Sequence, residues 1–556
     1  MRAILITILM ILSSICLGQE DRFGFVFDAN LDSKIPEINT SNFGKRTVNG
    51  KEILSADRLP KFVDNTLNRY FPPIISQIGG SCAQASGTGY VYNYEINFLL
   101  DRDGKKQENL LSYMQMWNYL NGGVGRGSNA SQGWEIIKEN GGICQDVFNP
   151  TIEDIGCKQR WARGYSNYYK GMYYGVESVS KFKPYKTEAT SSYDVNVISA
   201  MKQYLFDHAD GSKVGGLIIF SANAHSMNCD KNYNGESNTG YKSIVNAFAP
   251  GSSGAHSMTI VGYDDDVVAS DGSKGAFIVM NSWGEDWGDR GRFYMPYELI
   301  KSLNGGTGYG LTYCKNCYIV KPKYNQPKLT CRIKLSHTSR NDIKLKIGVA
   351  SGKDAEKPEE IHELYVMGRQ GGDRPLSGIP NDNELEFGIN LSRYVEYIEG
   401  GKEATFFIEI DNNQYVNESG EGEFLKCELL DYTSDIQNPK IYESEIINKD
   451  LSLLISSVAK INYCAKVIPD CEQFCLFSEY NRDTYQLYIN ISSKQKNKAY
   501  IDLVNDEGLI VRTIFNSWIN VESTVKKLDL KSLPKGKYVL RAIVEGHAEF
   551  RKIVIS

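Results

Sequence analysis

From Cys82 the chain repeats apolar positions at helical spacing through Tyr90, Val91, Tyr94 and Phe98-Leu99, and Asp101-Arg102-Asp103-Gly104-Lys105 closes the run. The pattern predicts a helix with one buried face. Shorter helical patterns follow at Trp134 to Lys138, stopped by Asn140-Gly141-Gly142, and at Val197 to Leu205. Then the period changes. Gly216 to Phe220, His256 to Tyr263 and Gly275 to Met280 are apolar runs of strand length. Past Lys321, β-type runs between turn clusters take over at Ile343 to Val349, Ala404 to Ile410 and Leu451 to Ile455, the pattern of an all-β sandwich. From about Tyr480 a second set begins: Tyr485 to Ile491, Tyr500 to Val504, Leu509 to Arg512, Lys537 to Ile543 and Phe550 to Ile555. The polar run Ser492 to Lys498 is a loop inside it. Three folded domains are expected.

The amino terminus adds an export address. Met1-Arg2 is charged, Ile4 to Leu12 is apolar, and Cys16-Leu17-Gly18 places small residues at the first and third positions of a signal-peptidase site. Residues 1–18 therefore read as a signal peptide cut after Gly18; bulky Ile15 fits lipoprotein processing at Cys16 poorly. The apolar run is shorter than the about 20 residues that span a bilayer, and no later stretch is long and apolar enough for a transmembrane segment. Residues 19–57 form a short polar segment, with Leu59-Pro60 just beyond it. A formal charge of −5 over 556 residues argues against a nucleic-acid partner. In an exported protein disulfides persist. Of twelve cysteines, removing Cys16 leaves an odd number, which flags an intermolecular bond or one free reactive thiol. Cys144 and Cys157, close in sequence and flanking one loop, are the expected pair for one bridge.

Cys82 is the candidate for the free thiol. It follows Gly79-Gly80-Ser81 at the predicted helix start, where the positive end of the helix favours a thiolate. Its candidate base is His256, which opens an apolar strand ending Val261-Gly262-Tyr263; downstream stands Asn281-Ser282-Trp283-Gly284. If the His256 strand returns as an antiparallel strand from Lys274, pairing Tyr263 with Lys274 sets His256 opposite Asn281, about 4.5–5.5 Å between Cβ atoms. An amide there can accept the imidazole N–H and fix its tautomer. The other histidines, His208, His225, His337, His362 and His547, read as surface or loop residues. Cys314/Cys317 and Cys471/Cys475 read as disulfide halves and not as metal ligands, and Asp264-Asp265-Asp266 with Asp271 as a solvated hairpin loop; neither metal nor cofactor is expected.

On Gln77, Cys82, His256 with Val261-Gly262-Tyr263, and Asn281-Ser282-Trp283-Gly284 with Trp287-Gly288, the chain resembles the papain-like (C1) cysteine peptidases. The resemblance covers about residues 58 to 322. It implies a two-lobed α+β papain-like catalytic domain acting on protein or peptide substrates, followed here by two all-β sandwich domains. It also implies the roles. Cys82 attacks, His256 carries the proton, Asn281 orients His256, and Gln77 with the backbone N–H of Cys82 holds the oxyanion. Ala255 lines the substrate pocket and Trp283 shields the Asn281–His256 hydrogen bond. Gly79 and Ala83 stand where the family has a cysteine and an aromatic residue, and Gln77 is one residue nearer Cys82 than usual. Two stretches compete for the glycine-rich substrate strand, Asn121-Gly122-Gly123 after Leu120 and Asn129-Ala130-Ser131 after Ser128. The segment before Leu59 is much shorter than the family's inhibitory propeptide, so latency by that means is not expected.

The last stretch has a resemblance of its own. Asp506-Glu507-Gly508, then Leu528 to Leu540 around Leu533-Pro534-Lys535-Gly536-Lys537-Tyr538, then Lys552 to Ser556 are similar to the C-terminal sorting domain of type IX secretion cargo in Bacteroidetes. The resemblance implies the type IX secretion machinery as partner and a secreted or cell-surface location after passage through the periplasm. The expected layout is thus 1–18 signal peptide, 19–57 short segment, 58–322 peptidase, 325–465 accessory sandwich and 480–556 immunoglobulin-like sorting domain, in a monomer.

Overall fold

The computed structural model describes residues 24–555 except 42, 44–45, 49–50, 54–58, 185–193, 225–226, 230–242, 249–254, 270, 302–315, 365–370, 396–397, 399–401, 413–419, 434–437, 453–454, 466–473, 482–483, 494–496, 506–508, 520–523 and 545–546. The signal peptide, His225, Cys314 and Cys471 lie outside the described residues. The chain divides into two compact units. One comprises residues 1–323, 327–397 and 403–463; the other comprises 324–326, 398–402 and 464–556.

The first unit opens with helix α1 (Ala29–Lys34). Helix α2 starts at Cys82–Gln84, widens into a π-helical stretch over Ala85–Tyr92 and returns to α geometry over Asn93–Leu99. Two elements that the hydrophobic pattern did not announce, α3 (Tyr113–Leu120) and α5 (Tyr165–Gly171), flank the expected α4 (Ala130–Asn140). The apolar stripe of α3 is broken by Gln115 and Asn118, whose side chains are buried but fully used: Gln115 Oε1 accepts from Ile143 N, and Asn118 Nδ2 donates to the carbonyls of Cys157 and Arg160. Polar side chains with such partners belong in a core even though they blur its period. Trp117, Met114, Tyr113 and Ala85 form the helical lobe's packing centre. A last long helix, α6 (Val197–Asp207), packs on the sheet lobe.

That sheet has seven strands: β1 (Phe62–Asp64), β2 (Tyr174–Phe182), β3 (Ile218–Asn223), β4 (Ala255–Val268), β5 (Lys274–Met280), β6 (Arg292–Pro296) and β7 (Cys317–Tyr324). The order is β6-β5-β4-β3-β7-β2, with β1 also on β4. Phe220, Met258, Tyr263, Phe277, Val197 and Met201 fill the space between sheet and α6. The β4/β5 hairpin forms, but not in the expected register. Tyr263 faces Phe277, Val268 faces Lys274, and bulges interrupt the ladder beside Val261 and between Asp264 and Val268. The reason is that β4 runs on through the aspartates. Asp265 is held by Lys202 Nζ at 2.7 Å and by the Tyr297 hydroxyl at 2.8 Å, and the exposed Asp266 by Lys61 at 3.1 Å, so Asp264–Asp266 belong to the strand, while Asp271 stands in the exposed hairpin turn as expected.

Residues 329–464 add two antiparallel sheets to this unit. One orders Glu384–Asn390, Leu329–His337, Gly422–Asp431 and Lys440–Glu443; the other orders Glu360–Glu363, Ile343–Ser351, Glu403–Asn412, Ser457–Cys464 and Glu445–Ile447. Tyr442 of the first sheet meets Tyr463 of the second at 5.2 Å between ring centres. Leu451-Ser452 is a turn here, not the start of a strand. These sheets are built onto the helical lobe. The Tyr165 hydroxyl shares hydrogen bonds with Thr330 at 2.6 Å and Tyr432 at 2.8 Å, and Asn140 exchanges bonds with Gly388 and Asn390. The second unit is two further sheets around one core of Leu487, Ile489, Ile501, Leu540 and Ile553. Its first strand, Phe474–Asn481, starts before Tyr480 and buries Phe474 and Leu476 in that core.

Candidate active site

Cys82 is fully buried at the first position of α2. The carbonyl of Ser81 accepts from the N–H groups of Gln84 at 3.0 Å and Ala85 at 2.9 Å, which fixes the helix start at the thiol. One turn later Ser86 donates its hydroxyl to the carbonyl of Ser257 at 2.9 Å. This bond ties α2 to β4 at the residue next to His256. Burial pushes the Cys82 thiol up to about 11, while backbone hydrogen bonds from Ser257, Gly24 and Ala83 work in the opposite direction.

His256 is also fully buried, facing Ala222 across the β3/β4 ladder. Its Nε2 donates to Asn281 Oδ1 at 2.7 Å. The shifted hairpin register does not break this contact, because Asn281 lies just past the end of β5, where its N–H bonds the Gly291 carbonyl at 2.8 Å and its own carbonyl accepts from the Tyr90 hydroxyl at 3.1 Å. The backbone turn aims the amide, and the strand pairing does not. Trp283 stacks on the imidazole at 4.7 Å between centroids and stands edge-on to Trp287 at 5.2 Å. Gln77 is nearly buried and anchored to the same turn: its N–H bonds the Ser282 carbonyl at 2.8 Å, its Oε1 accepts from the Ser282 hydroxyl at 2.6 Å, and its Nε2 donates to the Gly79 carbonyl at 2.7 Å.

The structure also fills the cleft. Gly24 to Val26 run between the two lobes as an extra strand. The N–H of Phe25 bonds the carbonyl of Ala255 at 3.1 Å, that of Val26 bonds the carbonyl of Ser128 at 3.0 Å, and Ser128 returns a bond to the Gly24 carbonyl at 2.7 Å. The pairing of Phe25 with Ser128 is parallel. Farther along, Asp32 accepts from Lys181 Nζ at 3.0 Å, Asn316 at 2.9 Å and Tyr318 at 2.5 Å, which pins α1 to the sheet lobe. Short as it is, the segment before Leu59 covers the site, contrary to the sequence-based expectation. No hydrophobic period marks it, because its hold combines backbone pairing, one polar cluster and a few unevenly spaced apolar contacts, with Phe25 and Ile35 buried and Ile38 and Phe43 packed against the sheet core.

The same pairing places the substrate strand. Neither candidate stretch is correct as drawn. Asn129 is the N-cap of α4, its side chain accepting from Ser131 N at 2.9 Å with Gln132 completing a capping box, so Ala130-Ser131 are helical. The cleft-facing edge is Gly127-Ser128. Gln84, buried in α2, fixes it by donating to the Asn129 carbonyl at 2.8 Å and the Ser128 hydroxyl at 3.1 Å. Ala255 contributes its carbonyl to the cleft, a role its side chain did not suggest. His208 is not a surface residue: it caps α6 with a positive φ, stacks on Phe98 and pairs with Glu95 at 2.8 Å. His337 is likewise buried, whereas His362 is half-exposed beside Glu139, and the side chain of His547 lies outside the described residues. Cys144 and Cys157 are separate thiols, the Cys144 sulfur lying 3.6 Å from the Tyr174 hydroxyl.

Among known proteins, residues 79–304 match the family model of papain family cysteine protease, and residues 485–556 match that of the secretion system C-terminal sorting domain. No curated protein matches the chain. Among solved structures, xylellain, a cysteine protease from Xylella fastidiosa, is 18% identical over 55% of this chain and 97% of its own, at a TM-score of 0.33. Procathepsin L2 from Tenebrio molitor larval midgut is 15% identical over 54% and 78%, at 0.36. The cysteine protease CMS1MS2 from Carica candamarcensis is 18% identical over 48% and 99%, at 0.29. The sorting domain marks a secreted or cell-surface protein, and no helix among the described residues is long and apolar enough to cross a membrane. The match of residues 79–304 to the papain family of cysteine proteases thus stands in one chain with a match of residues 485–556 to the secretion system C-terminal sorting domain.

Proposed function

We propose that the chain is a secreted cysteine endopeptidase that cleaves peptide bonds through Cys82, His256 and Asn281. The observation that carries this reading is the 2.7 Å bond from His256 to Asn281 on a strand tied by Ser86 to the helix that Cys82 opens. In the reaction the Cys82 thiolate attacks the peptide carbonyl carbon, and His256 passes its proton to the departing amine. A water molecule, deprotonated by His256, then hydrolyses the thioester. Asn281 holds the imidazole in one tautomer. The Cys82 N–H and the Gln77 amide stabilise the oxyanion, a contact worth about 3 kcal/mol in the transition state. Trp283 keeps water from the His256–Asn281 bond, and the Ala255 carbonyl receives the substrate N–H where Phe25 now sits.

In this form the cleft is closed, so activity requires that residues before Leu59 leave. The proposed layout is a signal peptide over 1–18, the covering segment within 19–57, the peptidase over 58–322, a sandwich over 325–465 and a sorting domain over 480–556 that the type IX secretion machinery reads and removes. The protein works as a monomer on protein or peptide substrates. In an oxidising compartment Cys331 and Cys427, buried on neighbouring strands with sulfurs 3.4 Å apart, form one disulfide.

A thiol-directed peptidyl epoxide, applied to the secreted protein after cleavage between Asn39 and Leu59, tests the assignment. Labelling at Cys82 together with loss of casein hydrolysis is expected. No labelling and no hydrolysis would instead assign a catalytically silent papain-fold surface adhesin or binding protein.

A further inference from the structure

The glycine-rich turn that carries the cleft edge has the middle sheets at its back. Gly122, Gly123 and Gly125 all have positive φ, at 67°, 69° and 82°, a conformation open mainly to glycine. On the cleft side the turn meets the covering strand without side chains between them: a Cβ on Gly127 would lie 2.0 Å from the Gly24 carbonyl oxygen. On the opposite side the contact is equally close. A Cβ on Gly123 would meet the Gly371 oxygen at 2.6 Å, and one on Gly372, whose φ is 73°, would meet the Gly122 oxygen at 2.0 Å. Gly371 to Gly378 form the loop of the middle sheets that makes this contact, so backbone presses on backbone from sandwich loop to turn to cleft.

The loop itself is held rigidly. Arg340 is buried at 2% exposure and donates to the carbonyls of Pro375 at 3.1 Å, Leu376 at 3.0 Å and Gln159 at 2.7 Å. Its guanidinium lies 3.8 Å over the Trp161 ring, and the backbone N–H of Arg340 donates to the Arg374 carbonyl at 2.9 Å. Burial pulls the Arg340 pKa down to about 9, still well above neutral pH, so the charge stays for the carbonyls and the ring. From Gln159 the connection returns to the turn: the Lys158 carbonyl accepts from Asn121 Nδ2 at 2.7 Å, and Asn121 Oδ1 accepts from Gly123 N at 2.8 Å.

We infer that the Gly371–Arg374 loop is a positioning element for substrate binding: the middle sheets hold the Gly122–Ser128 turn at the place where its edge pairs with a peptide in the cleft. This rests on the peptidase reading for its kinetic consequence and on geometry alone for its structural one. The test compares Gly372→Ala with Gly352→Ala in the full chain. Gly352 also has a positive φ, 84°, in the same sheets, but a Cβ there meets nothing within 4 Å, so it reproduces the backbone strain without the contact. By hydrogen exchange, residues 122–128 should exchange faster in Gly372→Ala than in the parent and in Gly352→Ala. In the secreted, processed protein Gly372→Ala should raise KM for a fluorogenic peptide about tenfold, with kcat held within about twofold, the signature of lost uniform binding. Cys82 alkylation by iodoacetamide should not change in that form. Equal exchange in the two variants, or a fall in kcat at constant KM, overturns the inference. A parent that cleaves no peptide overturns the peptidase reading instead, and the exchange comparison still decides the positioning.

Discussion

At the scale of residues, the proposed mechanism separates proton transfer from orientation. His256→Ala should lower kcat/KM by about 10²–10⁴-fold, the usual contribution of a general acid–base group. Asn281→Ala leaves the imidazole in place on β4 and should cost less; equal losses in steady-state assays would refute that division of roles. The thiol adds a pH signature. Because burial raises the Cys82 pKa to about 11, the closed chain carries a protonated thiol at neutral pH, and the thiolate gains ground only as pH climbs toward that value. Alkylation by iodoacetamide should accordingly be slow at pH 8 and rise steeply toward pH 11. Cutting away the residues before Leu59 readmits water, and the alkylation profile should shift to lower pH; an unshifted profile would remove burial as the cause. Cys82, His256, Asn281, Gln77 and Trp283 could be nominated from the sequence because each sits in a short motif with a chemical reason. Gln84 was not, since a glutamine one helical turn along has no motif; only its bonds to Ser128 and Asn129 reveal its part.

At the scale of elements, the covering strand depends on one close approach. A Cβ on Gly24 would lie 1.9 Å from the Gly80 oxygen, so Gly24→Ala must lift the strand from the Gly79-Gly80 turn. Cys82 in the intact variant should be alkylated at least about tenfold faster at pH 8 than in the parent, the equivalent of about 1.4 kcal/mol lost from the closed state. A rate equal to the parent's would show that the Asp32 cluster alone holds the segment. Helices α4 and α6 and strands β3 to β5 were readable from period and length. The register of β4 on β5 was not, because bulges and the Lys202 and Tyr297 contacts to Asp265 shift it, and none of these is encoded in alternation.

At the scale of the whole molecule, the two compact units respond differently to truncation. The second has its own core, so ending the chain after Tyr463 should leave the first unit folded, with its melting temperature within about 2 °C of the parent by calorimetry. Ending it after Lys323 instead strips Thr330, Arg340, Gly388 and Tyr432 from Tyr165, Trp161 and Asn140, and aggregation or loss of the cooperative transition is expected. A stable, monomeric 24–323 fragment would show that the middle sheets are a removable attachment. The sequence by itself determined many of the helices and strands and the papain-family and sorting-domain motifs, and it nominated Cys82, His256 and Asn281 as nucleophile, base and orienting amide, because these readings live in local periodicity and contiguous motifs. Tertiary structure alone decided that residues 24–26 lie in the cleft, that Gly127-Ser128 is its edge and that the middle sheets stand behind that edge. Those contacts join backbone to backbone across long separations, and backbone hydrogen bonding is the one interaction that side-chain identity does not announce.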